Sequence, residues 1–142
     1  MKFREATEED VEVLSDFWYD LAEQMEQYSD FNKLSDDAKE TSISELKERI
    51  GKEGIGVIIL EEDDQEIGYV YVEENEERPS RDTGKYAHIG VLYIKEEHRG
   101  EGYGSKLIQK AEEWAEDHNC NYITVSAEWK NQKARNFYQK NQ

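Results

Sequence analysis

The chain has 142 residues, the length of one ordinary domain, and its 34 Asp and Glu against 18 Lys and Arg leave a formal charge of −16. A chain this acidic, with no Lys/Arg cluster, lacks the electrostatic footprint of a nucleic-acid binder, and no apolar run approaches the roughly 20 residues that span a bilayer. Leu, Ile, Val and Phe make up only about a fifth of it, the border at which a charged chain is suspected of disorder, yet nine tyrosines and short periodic apolar runs argue for a lean core.

Met1-Lys2-Phe3-Arg4-Glu5 turns acidic at once, unlike a signal peptide. Residues 2–6 read as a strand, and Thr7 reads as the N-cap of a helix with Glu8, Glu9 and Asp10 in its first turn. Val11, Leu14, Trp18, Leu21, Met25 and Tyr28 recur at spacings of three and four, which carries that helix to about residue 28. A loop over 29–34 leads to a second helix capped by Ser35, bearing Ala38, Ile43, Leu46 and Ile50 and closed by Gly51. Val57–Leu60 and Ile67–Val72 are short apolar runs on either side of a charged turn, so they predict an antiparallel hairpin.

Residues 73–85 are polar, contain the single proline, Pro79, and are expected to form a mobile loop. Residues 86–94 form the longest apolar run and predict a central strand. A glycine-rich turn then leads to a helix with Leu107, Ile108, Ala111, Trp114 and Ala115 on one face, broken by Asn119 and Asn121. Tyr122–Ser126 reads as a strand and residues 131–140 as a last helix with Ala134, Phe137 and Tyr138 on one side. The expected fold is α/β, a mixed sheet with helices on both faces in the order β-α-α-β-β-β-α-β-α, forming one domain over residues 1–142. Cys120 is the only cysteine, which excludes an internal disulfide and a cysteine-based zinc site. No metal is expected, and the chain is expected to be a soluble cytoplasmic domain.

Chemistry concentrates in Arg99-Gly100-Glu101-Gly102-Tyr103-Gly104-Ser105, between the central strand and a helix. Glycines let the backbone turn its N–H groups one way, and the helix start adds its dipole, so the segment reads as a cradle for a phosphate or pyrophosphate. It is not a P-loop, because Ser105-Lys106 stands in the wrong order, and the third glycine comes one residue early for a dinucleotide fingerprint.

The segment resembles the acetyl-CoA signature of the Gcn5-related N-acetyltransferases, R/Q-x-x-G-x-G/A, filled by Arg99, Gly102 and Gly104. Asn131-Gln132-Lys133-Ala134-Arg135-Asn136-Phe137-Tyr138 resembles that family's N-x-x-A-x-x-F-Y helix, and the element order matches over nearly the whole chain. The resemblance implies acetyl transfer from acetyl-CoA to a primary amine by direct attack in a ternary complex. Backbone groups of Leu92 and Ile94 would hold the pantetheine, and the Leu92 N–H would also polarise the thioester carbonyl. Residues Gly100 to Ser105 would take the pyrophosphate beside Arg99, and Asn131 would touch the cofactor arm. Tyr138 would protonate the departing thiolate.

Aligned through the glycine motif, the position of the family's strand glutamate is His88, a candidate base. Gly90 and Val91 stand where other members carry acids. Tyr28, Asp30 and Phe31 are candidates for substrate contact. His98 reads as surface loop, His118 as a helix-end cap, Cys120 as a packed side chain and Trp129 as core. The family continues into a further strand where this sequence reads Gln139-Lys140-Asn141-Gln142, so an open edge compatible with a homodimer is expected. The overall charge favours a cationic amine acceptor. The alternative is a non-catalytic CoA-binding sensor or interaction module.

Overall fold

Val57 and Ile59 point to one side of their strand while Ile58 and Leu60 point to the other, as pleating requires, and all four are buried. A strand buried on both sides needs helices on both faces of its sheet. The computed structural model describes residues 1–28, 33–76, 84–126 and 132–141. It contains strands β1 (Lys2–Glu5), β2 (Ile55–Glu62), β3 (Gln65–Glu76), β4 (Lys85–Ile94) and β5 (Ile123–Val125). Its helices are α1 (Val11–Met25), α2 (Ala38–Arg49), α3 (Tyr103–Asp117) and α4 (Gln132–Lys140). The sheet order is β1-β2-β3-β4-β5, antiparallel throughout except that β4 and β5 are parallel. The expected mixed sheet and element order are therefore observed.

One face of the sheet packs Val57, Ile59, Tyr69, Tyr71 and Tyr93 against Val11, Leu14 and Phe17 of α1 and Leu46 of α2. The other packs Ile58, Leu60, Val70, Val72, Ala87 and Ile89 against Leu107, Ile108, Ala111 and Trp114 of α3. Phe137 and Tyr138 of α4 pack against this second cluster. At the chain's start, the Thr7 N–H donates to Asp10 Oδ2 at 2.8 Å and a single 3-10 turn leads into α1. Arg4 then ties the strand to this turn, donating to both oxygens of Asp10 at 2.8 Å and to Glu61 of β2.

Two expected boundaries shift. Ser35 does not cap α2: its hydroxyl donates to Asp37 Oδ1 at 2.9 Å and its carbonyl accepts the Ala38 N–H at 3.2 Å. That turn moves the helix start to Ala38, while Gly51, with φ +87°, ends the helix as expected. Glu73–Glu76, expected in a loop, extend β3 because they pair with His88, Ala87, Tyr86 and Lys85 of β4. An ion pair of Lys85 with Glu74 at 3.2 Å supports that ladder. Residues 77–83 of the expected loop, Pro79 included, lie outside the described residues, and Lys85 already belongs to β4. The hairpin turn is Asp63-Asp64, with φ +53° and +63°, the two-residue turn whose twist suits the strands.

The detail that positions the site is a bulge. Val72 pairs with Ile89 and Tyr71 with Val91, which leaves Gly90 as the extra residue. Ala87 and Ile89 face α3 before it, and Leu92 and Ile94 face the same side after it. Among the described residues β5 pairs with β4 at Ala87, His88 and Ile89, all before the bulge.

Candidate active site

Past the bulge, β4 keeps its ladder with β3. The Lys95 N–H donates to the Ile67 carbonyl at 2.8 Å. By alternation Tyr93 and Val91 also turn their backbone groups to β3, while the amide groups of Leu92 and Ile94 turn away from it. The Ile94 carbonyl accepts Arg99 Nε–H at 2.7 Å. A 3-10 turn over Glu96–His98 then leads into the glycine segment.

Gly100 and Gly102 have φ of +81° and +86°, and Gly102 is the N-cap of α3. The first N–H groups of that helix have no partner within it, and no acidic residue stands in its first turn to meet its positive end. In a chain of net charge −16, that is a local seat for an anion. Gly104 serves differently: a Cβ there would lie 2.9 Å from Phe137 Cζ, so the missing side chain lets α4 settle on the start of α3.

These groups border a cavity of about 580 Å³. It brings together Leu92 and Ile94 of β4, Arg99, Gly100, Gly102, Tyr103, Gly104 and Ser105 of the glycine segment, and Tyr138 of α4. Burial pushes the Tyr138 phenol above the ordinary tyrosine range, so it is protonated at neutral pH. Arg99 leans on α1, donating to Gln24 Oε1 at 3.3 Å, lying 4.0 Å from Asp20 and resting over the Tyr93 ring. The Tyr93 hydroxyl donates to Asp20, and burial followed by this carboxylate raises its phenol pKa.

Other expected positions fall elsewhere. Glu101 does not border this cavity. His88 stands on the α1–α2 side of β4, its Nδ1 2.7 Å from Thr124 Oγ1 of β5, and it borders the cavity nowhere. Asn131, Asp30, Phe31 and Trp129 lie outside the described residues. Tyr28 does line the cavity. So does His98, expected as surface loop: it sits edge-on to Tyr103 with ring centroids 6.2 Å apart. His118 Nδ1–H donates to the Trp114 carbonyl at 2.8 Å, a helix-end contact as expected. Cys120 packs beside the α3 cluster, and burial raises its thiol pKa.

Sequence reasoning missed Gln24, which no motif marks, and a cavity of about 200 Å³ on the opposite face of the sheet. That cavity joins Trp18 of α1, Glu45 and Arg49 of α2, Tyr71 and Glu73 of β3, and Gly90 and Val91 of β4. The Tyr71 hydroxyl donates to Glu73 Oε2 at 3.5 Å, and Arg49 lies against it. A neighbouring cavity of about 340 Å³ shares Trp18, Gly90 and Val91 and is bordered by Lys33. The isolated glycine inside an apolar strand was the available signal, since such a glycine marks a bulge or a close approach. Among the described residues no helix is long and apolar enough to cross a membrane, and no group of His, Cys, Asp and Glu is arranged to hold a metal ion.

A mixed sheet whose bulged central strand runs into a glycine-rich helix start is the arrangement of an acyltransferase fold. The chain belongs to the acetyltransferase (GNAT) family, whose model matches residues 11–142. The thialysine N-epsilon-acetyltransferase of Sus scrofa is 39% identical over 57 residues, 39% of this chain and 33% of that protein. An uncharacterized N-acetyltransferase of Archaeoglobus fulgidus is 34% identical over 83 residues, 58% of this chain and 56% of that one. The chain thus spans from a third to just over half of the length of these relatives. In fold it is like the tetramutant of the BH1408 protein from Bacillus halodurans, with TM-score 0.87, 19% identity and coverage of 99% of this chain and 91% of that one.

Proposed function

We propose that the protein transfers an acetyl group from acetyl-CoA to a primary amine by direct attack in a ternary complex. The observation that carries this reading is the cavity of about 580 Å³, where Leu92 and Ile94 of β4 meet the anion seat of α3 and the protonated Tyr138. The residues fit the cosubstrate. The Leu92 and Ile94 amide groups, turned away from β3, offer a pantetheine arm strand-like contacts. The N–H groups over Gly100–Ser105 and the positive end of α3 suit its pyrophosphate, with Arg99 alongside. Asn131 is assigned to the same arm on the resemblance.

When bound, acetyl-CoA supplies an activated acyl group: the N–C bond forms, the C–S bond breaks, CoA leaves as the thiol, and the ammonium's surplus proton goes to a base or to water. The Leu92 N–H donates to the thioester oxygen as charge gathers there. Tyr138 gives its phenolic proton to the sulfur, a suitable transfer because burial keeps that proton in place. His88 is assigned as the base on the resemblance; its face of the sheet, opposite to that of Ala87 and Ile89, supports this reading.

The test is thiol release from acetyl-CoA over free amines, polyamines, aminoglycosides and protein amino groups. Tyr138→Phe is expected to lower turnover about 100-fold while leaving CoA affinity within about twofold. With the ring as base, His88→Gln is expected to lower turnover about 100-fold while leaving CoA affinity within about twofold. Tight CoA binding with no thiol release on any amine would instead identify a sensor without catalysis.

A further inference from the structure

We infer that the acceptor is a linear diamine whose distal ammonium is held in the cavity between Trp18, Glu45, Tyr71 and Glu73, on the face of the sheet opposite the α3 cavity. This rests on the acetyl-transfer reading and assigns the acceptor's second charge. The cavity ends at Gly90 and Val91, next to the Leu92 amide assigned to the thioester, so one molecule can reach both. At the bulge the strand presents no side chain: Gly90 is exposed, and a Cβ there would meet the Tyr71 ring at 3.2 Å. The bulge thus leaves the cavity floor at Gly90 without a side chain, next to the strand residues that lead to Leu92.

The lining chooses the sign of the ligand. Its charged residues are Glu45, Glu73 and Arg49, two carboxylates against one guanidinium, and Arg49 already lies against the Tyr71 hydroxyl. Trp18, Tyr69 and Tyr71 supply aromatic walls, which suit an ammonium and the methylene chain that carries it. Lys33 borders the neighbouring cavity, so a second cation is directed away from that one. The ladder sets the length. Leu92 stands opposite Val70, and Glu73 lies three residues further along β3. At the rise of a strand this is about 10 Å between the reacting amine and the distal charge.

The experiment measures kcat/KM for linear diamines of increasing length, for monoamines of matched length and for lysine, using thiol release. A diamine spanning about 10 Å is expected to exceed its monoamine at least tenfold, and that ratio is expected to fall toward one in Glu73→Gln and in Glu45→Gln. Glu45 is exposed on α2, so its variant keeps the test open if Glu73→Gln does not fold. Equal rates for diamines and monoamines, or a ratio untouched by both substitutions, would overturn the inference and leave acetyl transfer standing. A preference for lysine that is lost on Arg49→Gln would overturn it in favour of an amino-acid acceptor. Absence of thiol release with every amine would sink the underlying reading instead.

Discussion

Gly102 and Gly104 look alike in the motif but are needed for unrelated reasons. Gly102 sits at φ +86° with open space around it, so Gly102→Ala carries only the strain of a left-handed residue, about 1–2 kcal/mol. Gly104 is helical, and Gly104→Ala forces a methyl against the Phe137 ring, an overpacking cost of about 1–3 kcal/mol. The second variant is therefore expected to loosen α4 and lower turnover through Tyr138, whereas the first should weaken CoA binding; thermal unfolding and CoA titration on both variants separate the two outcomes. The glycine spacing was legible in the sequence. The reason for the third glycine was not, because its neighbour stands 33 residues away on another helix. The Tyr71, Glu73, Arg49 and Trp18 cavity was hidden for the same reason: four elements contribute to it, and no local spacing joins them.

At the level of elements, periodicity made the order of strands and helices readable, and errors fell where tertiary partners override local character. Glu73–Glu76 look like loop residues in isolation, but they become strand because β4 offers a complementary ladder. The first strand is held by a different device. Arg4 joins β1 to the turn before α1 and to β2, and it holds the buried Asp10 carboxyl below its usual range. A depressed carboxyl pKa contributes stability above the ordinary carboxylate range that is lost as pH falls through the folded value. Acid unfolding of Arg4→Met should therefore lose part of this pH dependence, and at neutral pH the variant should be about 2–3 kcal/mol less stable, since Asp10 stays buried without its partner. Urea melts at pH 7 and at pH 4 check both statements.

Over the whole molecule, a charge of −16 acts on the two ligands with opposite sign. Screening by salt should tighten CoA, whose phosphates enter against the overall field, and should raise KM for a cationic amine. Titrating CoA and measuring amine kinetics at low and high salt test this pair of trends; parallel changes in both would contradict it. The uneven sheet has a further consequence for cooperativity. Among the described residues three pairs join β5 to β4, whereas β3 and β4 share a ladder running from Gly68 to Glu76. Hydrogen exchange is expected to reach the β5 amides well before those of β3, through an opening that leaves the antiparallel sheet intact. A ligand lying in the cavity between β4, α3 and α4 would tie the weaker part to the stronger, so CoA should slow exchange most in β5 and α4. In that respect the cosubstrate would act as a removable fastener, and turnover would open and close it each cycle.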